Sequence, residues 1–124
     1  MAKTILIVDD SATMLMSVRS TLEMGGFHVE SAGDGLQALA LIEKGVAPDL
    51  IVTDIHMPNM DGLSFIKAVR ALPGFKFLPI LTLTTESDPS KRERARELGA
   101  TGWLVKPVNG PDFIAVIKQL LPGA

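Results

Sequence analysis

The sequence predicts an α/β fold in which a parallel sheet of five strands is covered by five helices. Two observations carry that expectation. Short runs rich in Ile, Val and Leu alternate with longer segments whose apolar residues recur every three or four positions, the pattern of strands joined by crossover helices. The runs are also nearly continuous in apolar side chains, as strands buried on both faces are. At 124 residues the chain has the length of one ordinary domain, and it shows no linker, repeat or low-complexity tract. One unit over residues 1–124, with no output domain attached, is expected.

The elements follow in order. Thr4 to Val8 is the first strand. Ser11 is a good helix N-cap, Met14, Val18 and Leu22 repeat every four residues, and Gly25-Gly26 stops that helix. Phe27 to Ala32 is the second strand; Gly33-Asp34-Gly35 turns into a helix carrying Leu36, Leu39, Ala40 and Glu43, ended by Gly45 and Pro48. "DLIVTD", Asp49 to Asp54, is the third strand, followed by the loop "IHMPNMDG" and a helix from about Leu63 to Leu72, which Pro73-Gly74 breaks. "LPILTLT" is the fourth strand. Asp88 or Ser90 caps the charged helix "SKRERARELG", closed by Gly99. "TGWLVKP" is a short fifth strand, and Pro111 suits the first turn of a last helix with Phe113, Ile114, Ile117, Leu120 and Leu121.

Composition removes several classes of function. Twelve Lys and Arg against fourteen Asp and Glu give a formal charge of -2, so no basic field is present to hold nucleic acid. There is no cysteine, which excludes disulfides, thiolate chemistry and Cys-based zinc sites, and fits a reducing, cytoplasmic setting. The N-terminus lacks the apolar core of a signal peptide, and no apolar run is long enough to span a membrane.

The run "ILIVDD" ends in two adjacent carboxylates, Asp9 and Asp10, which repel each other and serve no purpose in a buried strand. In open α/β sheets ligands bind beyond the carboxyl ends of the strands, where the strand order reverses. At those ends this sequence places Asp9-Asp10, Asp54, Thr84-Thr85 and Lys106. Taken singly each is ordinary: an acidic pair caps a helix, a terminal Thr bonds the backbone, a Lys before Pro is solvated. Together they form three acids, hydroxyls and an amine converging from four strands. An all-oxygen acidic cluster suits a hard divalent cation, for which magnesium is the natural candidate, and that ion leaves coordination positions open to a phosphoryl group. Lys106 offers a point charge and Thr84 a hydroxyl donor to phosphate, and a carboxylate can be the nucleophile that accepts it. Phosphoryl transfer to an Asp is the chemistry these parts suggest.

The segments "ILIVDDS", "DLIVTDIHMPNMDG", "PILTLTTES" and "GATGWLVKP" resemble the motifs of the response-regulator receiver domain, particularly stand-alone CheY-like chemotaxis proteins, over essentially the whole chain. The resemblance implies a flavodoxin-like, doubly wound sheet of order 2-1-3-4-5 and a signalling phosphoacceptor rather than an enzyme, with slow self-phosphorylation and self-dephosphorylation at most. Asp54 would take the phosphoryl group from a phosphohistidine on a CheA-like sensor histidine kinase. Asp10 and Asp54 would bind Mg2+ directly, Asp9 through water, and the His56 backbone carbonyl would be a further ligand. Lys106 would pair with the acceptor or the phosphoryl oxygens, before a cis Lys106-Pro107 bond. Thr84 would move to the phosphoryl group and Trp103 turn into the space vacated. Plain packing is the alternative for Trp103.

By the same resemblance His56 and Glu86 would flank the attacking water and tune how long the phosphoryl group lasts, although a side chain at His56 is otherwise simply solvated. Thr85 stands where similar proteins often carry Ala, with no sign assignable to its effect. In "SKRERARELG" the spacing puts Arg92 and Arg96 on one face and Glu93 and Glu97 on another. The usual reading is a solvated, ion-paired helix; the resemblance makes it, with Trp103, a docking surface for a flagellar motor switch protein or a phosphatase. The expected state is a monomer. Competing readings are a phosphate sink or relay, a magnesium phosphatase using an aspartyl phosphate, for which a chain this short leaves no substrate cap, and a flavin carrier, which the acidic "DDSATM" loop disfavours.

Overall fold

The computed structural model describes residues 2–121. Five strands, β1 (Thr4–Val8), β2 (His28–Ala32), β3 (Leu50–Thr53), β4 (Ile80–Thr84) and β5 (Gly102–Val105), alternate with five helices, α1 (Ala12–Met24), α2 (Gly35–Glu43), α3 (Gly62–Arg70), α4 (Pro89–Leu98) and α5 (Gly110–Leu120). All strand pairs are parallel, in the order β2-β1-β3-β4-β5. The expected flavodoxin-like, doubly wound α/β architecture is the one formed.

Successive strand residues face opposite sides of the sheet, so each apolar run feeds two cores. Ile5, Ile7, Leu50, Val52, Leu81 and Leu83 pack against Leu22 of α1 and Phe113 and Ile117 of α5. Leu6, Val8, Ile51 and Ile80 pack against Ala38 of α2, Phe65, Ile66 and Val69 of α3, and Ala95 of α4. The continuous apolar patterning follows from this: neither face of the central strands meets water.

Helix starts are set by side-chain caps. Ser11, Asp34, Asp61, Asp88 and Asn109 each accept a backbone N–H from the first turn of α1 to α5 respectively. Of the two candidate caps for α4, Asp88 holds the position; Ser90 supplies the N–H it binds. Pro111 sits in the first turn of α5, where a missing N–H costs nothing.

The third strand is shorter than its sequence pattern. It stops at Thr53, and Asp54 lies just past its end, although the Asp54 N–H still bonds the Val8 carbonyl at 2.9 Å. The chain there turns into its carboxylate, whose Oδ1 accepts the N–H of Ile55 at 2.6 Å. Helix α4 buries only Ala95 among its residues, as α1 buries only Leu22. Its C-terminus is tied down by Arg70, which donates from Nε and Nη2 to the Gly99 carbonyl at 3.1 and 2.7 Å, and from Nη1 to the Phe75 carbonyl at 2.8 Å.

Gly62 brings the start of α3 against the acceptor segment. Its N–H bonds the Ile55 carbonyl at 2.8 Å, and a Cβ there would lie 2.1 Å from the Asp54 carbonyl oxygen. Since that neighbour is backbone and cannot rotate away, Gly62→Ala is expected to destabilise the fold by about 3 kcal/mol, the upper end of an overpacked core. A urea denaturation midpoint close to wild type would show that the segment yields more easily than this.

Candidate functional site

The strand order reverses between β1 and β3, so the loops after them open a crevice at their carboxyl ends. Asp9 and Asp10 follow β1, Asp54 follows β3, and Lys106 follows β5. Each of the three acids offers a carboxylate oxygen, and these atoms lie within 4.8 Å of one another. Asp9 and Asp54 are buried, at 8% and 9% exposure, while Asp10 is open to solvent.

Lys106 reconciles the two buried acids. Its Nζ donates to Asp9 Oδ2 at 2.8 Å and to Asp54 Oδ2 at 3.2 Å. Burial alone would push the ammonium down, but the two carboxylates outweigh it and hold Lys106 above the usual lysine value. The remaining carboxylate oxygens take backbone donors: Asp9 Oδ1 accepts the Ser11 N–H at 2.9 Å, and Asp54 Oδ1 that of Ile55. The Lys106-Pro107 bond is cis, as the resemblance implied.

This donor set fits a hard divalent cation. It is oxygen only, three carboxylates carry more negative charge than one ammonium cancels, and Asp10 faces water from which an ion would arrive. Asp9, Asp10 and Asp54 are the residues that would hold it.

Thr84 is fully buried at the end of β4, and its Oγ1 accepts the Glu86 N–H at 3.2 Å. Trp103, half-buried on β5, packs on the core under α2, α3 and α4 and donates from Nε1 to the Glu86 carbonyl at 3.2 Å. Glu86 thus bonds both residues that were expected to switch. Its side chain does more: His56 Nε2 lies 2.8 Å from Glu86 Oε1, and Lys91 Nζ donates to the same oxygen at 3.0 Å. Hydrogen bonds from His56, from Lys91 and from the Asp88 N–H hold the Glu86 carboxyl down to about 2. The His56 ring is therefore paired across the mouth of the site rather than merely solvated. Lys91 went unnoticed in the sequence, because a contact five residues along from Glu86 and across a helix start follows no periodicity. Thr85 is exposed.

On α4 the charges do not segregate as their spacing suggested. Arg96 pairs with Glu93 and Arg94 with Glu97, each three residues apart. Arg92, Glu93 and Arg96 line one groove of about 250 Å3 together with Pro89, Gly102 and Trp103. The expected partner residues Arg92, Arg96 and Trp103 do share a surface, with an acid among them. Among the described residues no helix is long and apolar enough to cross a membrane.

Replacing Lys106 by Met makes the cluster of three acids more negative, from -2 to -3, and strands two acids together. The cation-free variant is expected to lose about 2 kcal/mol, less than a fully buried pair costs because the site is partly wet. Added MgCl2 should then stabilise Lys106→Met more than wild type, by mass action on a stronger site. Equal stabilisation in urea titrations would mean that the ammonium does not oppose the cation.

Comparison with known proteins places these features in context. The family model described as the response regulator receiver domain matches residues 5–118. Chemotaxis protein CheY-3 of Vibrio cholerae is 41% identical over 118 residues, 94% of this chain and 87% of that protein. The sensor histidine kinase CheAY of Helicobacter pylori is 35% identical over 116 residues, 93% of this chain but 14% of the kinase. Among solved structures, Vibrio cholerae chemotaxis protein CheY4 superposes with a TM-score of 0.92 at 43% identity, covering 98% of this chain and 100% of that one. The receiver domain of sensor histidine kinase PA1611 from Pseudomonas aeruginosa, described with a magnesium ion coordinated in its active-site cleft, has a TM-score of 0.88 at 26% identity over 97% and 98% of the two chains.

Proposed function

This chain belongs to the response-regulator receiver family, and from that premise we propose that it is the Mg2+-dependent phosphoacceptor of a two-component pathway, most specifically a chemotaxis pathway. The observation that carries the reading is the convergence of Asp9, Asp10, Asp54 and Lys106 on one crevice. The chemotaxis assignment is supported by the likeness to CheY-3 and CheY4.

In this reading an Asp54 carboxylate oxygen attacks the phosphorus of a phosphohistidine on a sensor kinase. The new O–P bond forms as the P–N bond breaks, and the released imidazole takes a proton from solvent. Asp54 Oδ1 is engaged by the Ile55 N–H, which fixes the rotamer, while Oδ2 faces Lys106. The Lys106 ammonium offsets negative charge gathering on the phosphoryl oxygens. A magnesium ion held by Asp9, Asp10 and Asp54, with the His56 backbone carbonyl, would supply further charge neutralisation there.

Thr84 gives up its bond from the Glu86 N–H to reach the phosphoryl group. Because Glu86 also binds the Trp103 indole, the change passes to the surface of α4 and β5. Arg92, Arg96 and Trp103 line the groove there, the surface offered to a flagellar motor switch protein or a phosphatase. Reversing the charges of Arg92 and Arg96 should weaken docking of such a partner; unchanged affinity would remove this role.

The single Trp reports the switch. Trp103 fluorescence is expected to change with MgCl2 and again with acetyl phosphate, and the second response should vanish in Asp54→Asn. A phosphodonor response that survives in Asp54→Asn would rule out Asp54 as the acceptor. Removing the His56 and Glu86 side chains together breaks the bridge between the loop after β3 and the segment after β4, and dephosphorylation should quicken by about tenfold, equivalent to about 1.4 kcal/mol on the barrier. An unaltered hydrolysis rate would take both residues out of rate control.

A further inference from the structure

The loop between β3 and α3, residues 55–61, carries the His56 backbone carbonyl. Besides the Asp61 cap on α3, side-chain hydrogen bonds from outside the loop and its flanking Asp54 reach it at two places among the described residues. Glu86 meets the His56 ring, and Asp34 meets Asn59, whose Nδ2 donates to Asp34 Oδ2 at 2.8 Å.

Asp34 is more than a helix cap. It is 4% exposed, and a buried carboxylate must have its oxygens satisfied. Capping α2 uses Oδ1, which accepts the Gln37 N–H at 2.8 Å. Oδ2 is left for Asn59. The two donors, Gln37 N–H first and the Asn59 amide second, hold the Asp34 carboxyl below its usual range.

The loop is shaped to meet this oxygen. Asn59 adopts φ 67, a left-handed conformation that side chains other than Gly and Asn rarely accept. The next residue docks on the same helix start: a Cβ at Gly35 would lie 2.9 Å from Met60 Cγ and 3.0 Å from its sulfur, so Met60 packs directly against the Gly35 backbone. Met60 N–H closes a tight turn on the Pro58 carbonyl at 2.7 Å.

We propose that Asp34 is a positioning residue for the divalent-cation site, its α2-anchored carboxylate clamping Asn59 and so fixing the loop backbone that presents the His56 carbonyl. This rests on the receiver reading above, since only there does that carbonyl have a ligand to hold. A backbone ligand cannot be oriented by its own side chain; its position is inherited from whatever pins the loop. Outer partners that orient metal ligands directly are worth about 10- to 100-fold in affinity, and a clamp acting three residues away is expected to give less, about 3- to 10-fold.

The test is an NMR titration of amide signals with MgCl2 in wild type, Asn59→Gly, Asp34→Ser and the double variant. Gly tolerates the positive φ, so Asn59→Gly deletes the amide without adding strain. Ser still caps α2 but is too short to reach Asn59 as well. Each single variant should bind Mg2+ more weakly by the stated factor, and the double variant no more weakly than either single, because both remove one interaction. A structural role alone would lower stability and leave the Mg2+ Kd unchanged. Wild-type binding with an unchanged Kd in folded Asn59→Gly overturns the positioning role alone. A wild type whose Asp10 amide ignores MgCl2 overturns the Mg2+-dependent phosphoacceptor reading and this inference with it.

Discussion

The ion pair of Lys106 with Asp9 and Asp54 is the interaction on which the rest of the molecule depends. Two buried carboxylates facing each other at neighbouring strand ends would each suppress the other's ionisation unless a cation stood between them. The ammonium, reaching over from the end of β5, meets both. It therefore ties together the loops at the ends of three strands. The same compactness makes the arrangement reactive: an ammonium is a point charge without fixed direction, so it can pass from a carboxylate to a phosphoryl oxygen with little movement.

Around that pair the fold supplies rigidity on one side and looseness on the other. The acceptor segment is locked by the Asp54 turn, by the Gly62 approach and by the α2 start. Helix α4 is the opposite case. With Ala95 as its one buried residue, it is held by Arg70 at its end and by the Lys91 pair with Glu86 at its beginning. Elements with few buried apolar groups are the ones that move at low cost, and α4 begins three residues after Glu86, where Thr84, Trp103 and His56 all meet. Glu86 thus links the loop after β3 to a lightly held helix.

Much of this was legible in the sequence because the signals were local or collective. The apolar runs located the strands, the Ser11 and Asp88 caps, Pro111 and the Gly and Pro breaks located the helices, and the rule that ligands bind beyond parallel strand ends gathered Asp9, Asp10, Asp54, Thr84 and Lys106. What escaped depended on distance or on competition between neighbours. The Glu86 bridge joins His56, thirty positions earlier, to Lys91 on the next helix, and no local pattern encodes such a meeting. Asp34 read as a turn residue, since its second oxygen is committed only once Asn59 arrives in space. Arg70 gave no signal at all: its carbonyl partners are backbone groups, which every residue carries. The charges of α4 were sorted by their four-residue spacing, whereas the pairs that formed are three apart, the alternative neighbour on a helical surface.

The most direct test of the central claim is intact-mass spectrometry of the protein after incubation with acetyl phosphate, with and without MgCl2, for wild type and Asp54→Asn. The account predicts one phosphoryl group added to wild type, dependent on Mg2+, and none on Asp54→Asn. Addition that persists in Asp54→Asn, or a wild type that stays unmodified while its Asp10 amide reports bound Mg2+, would contradict it.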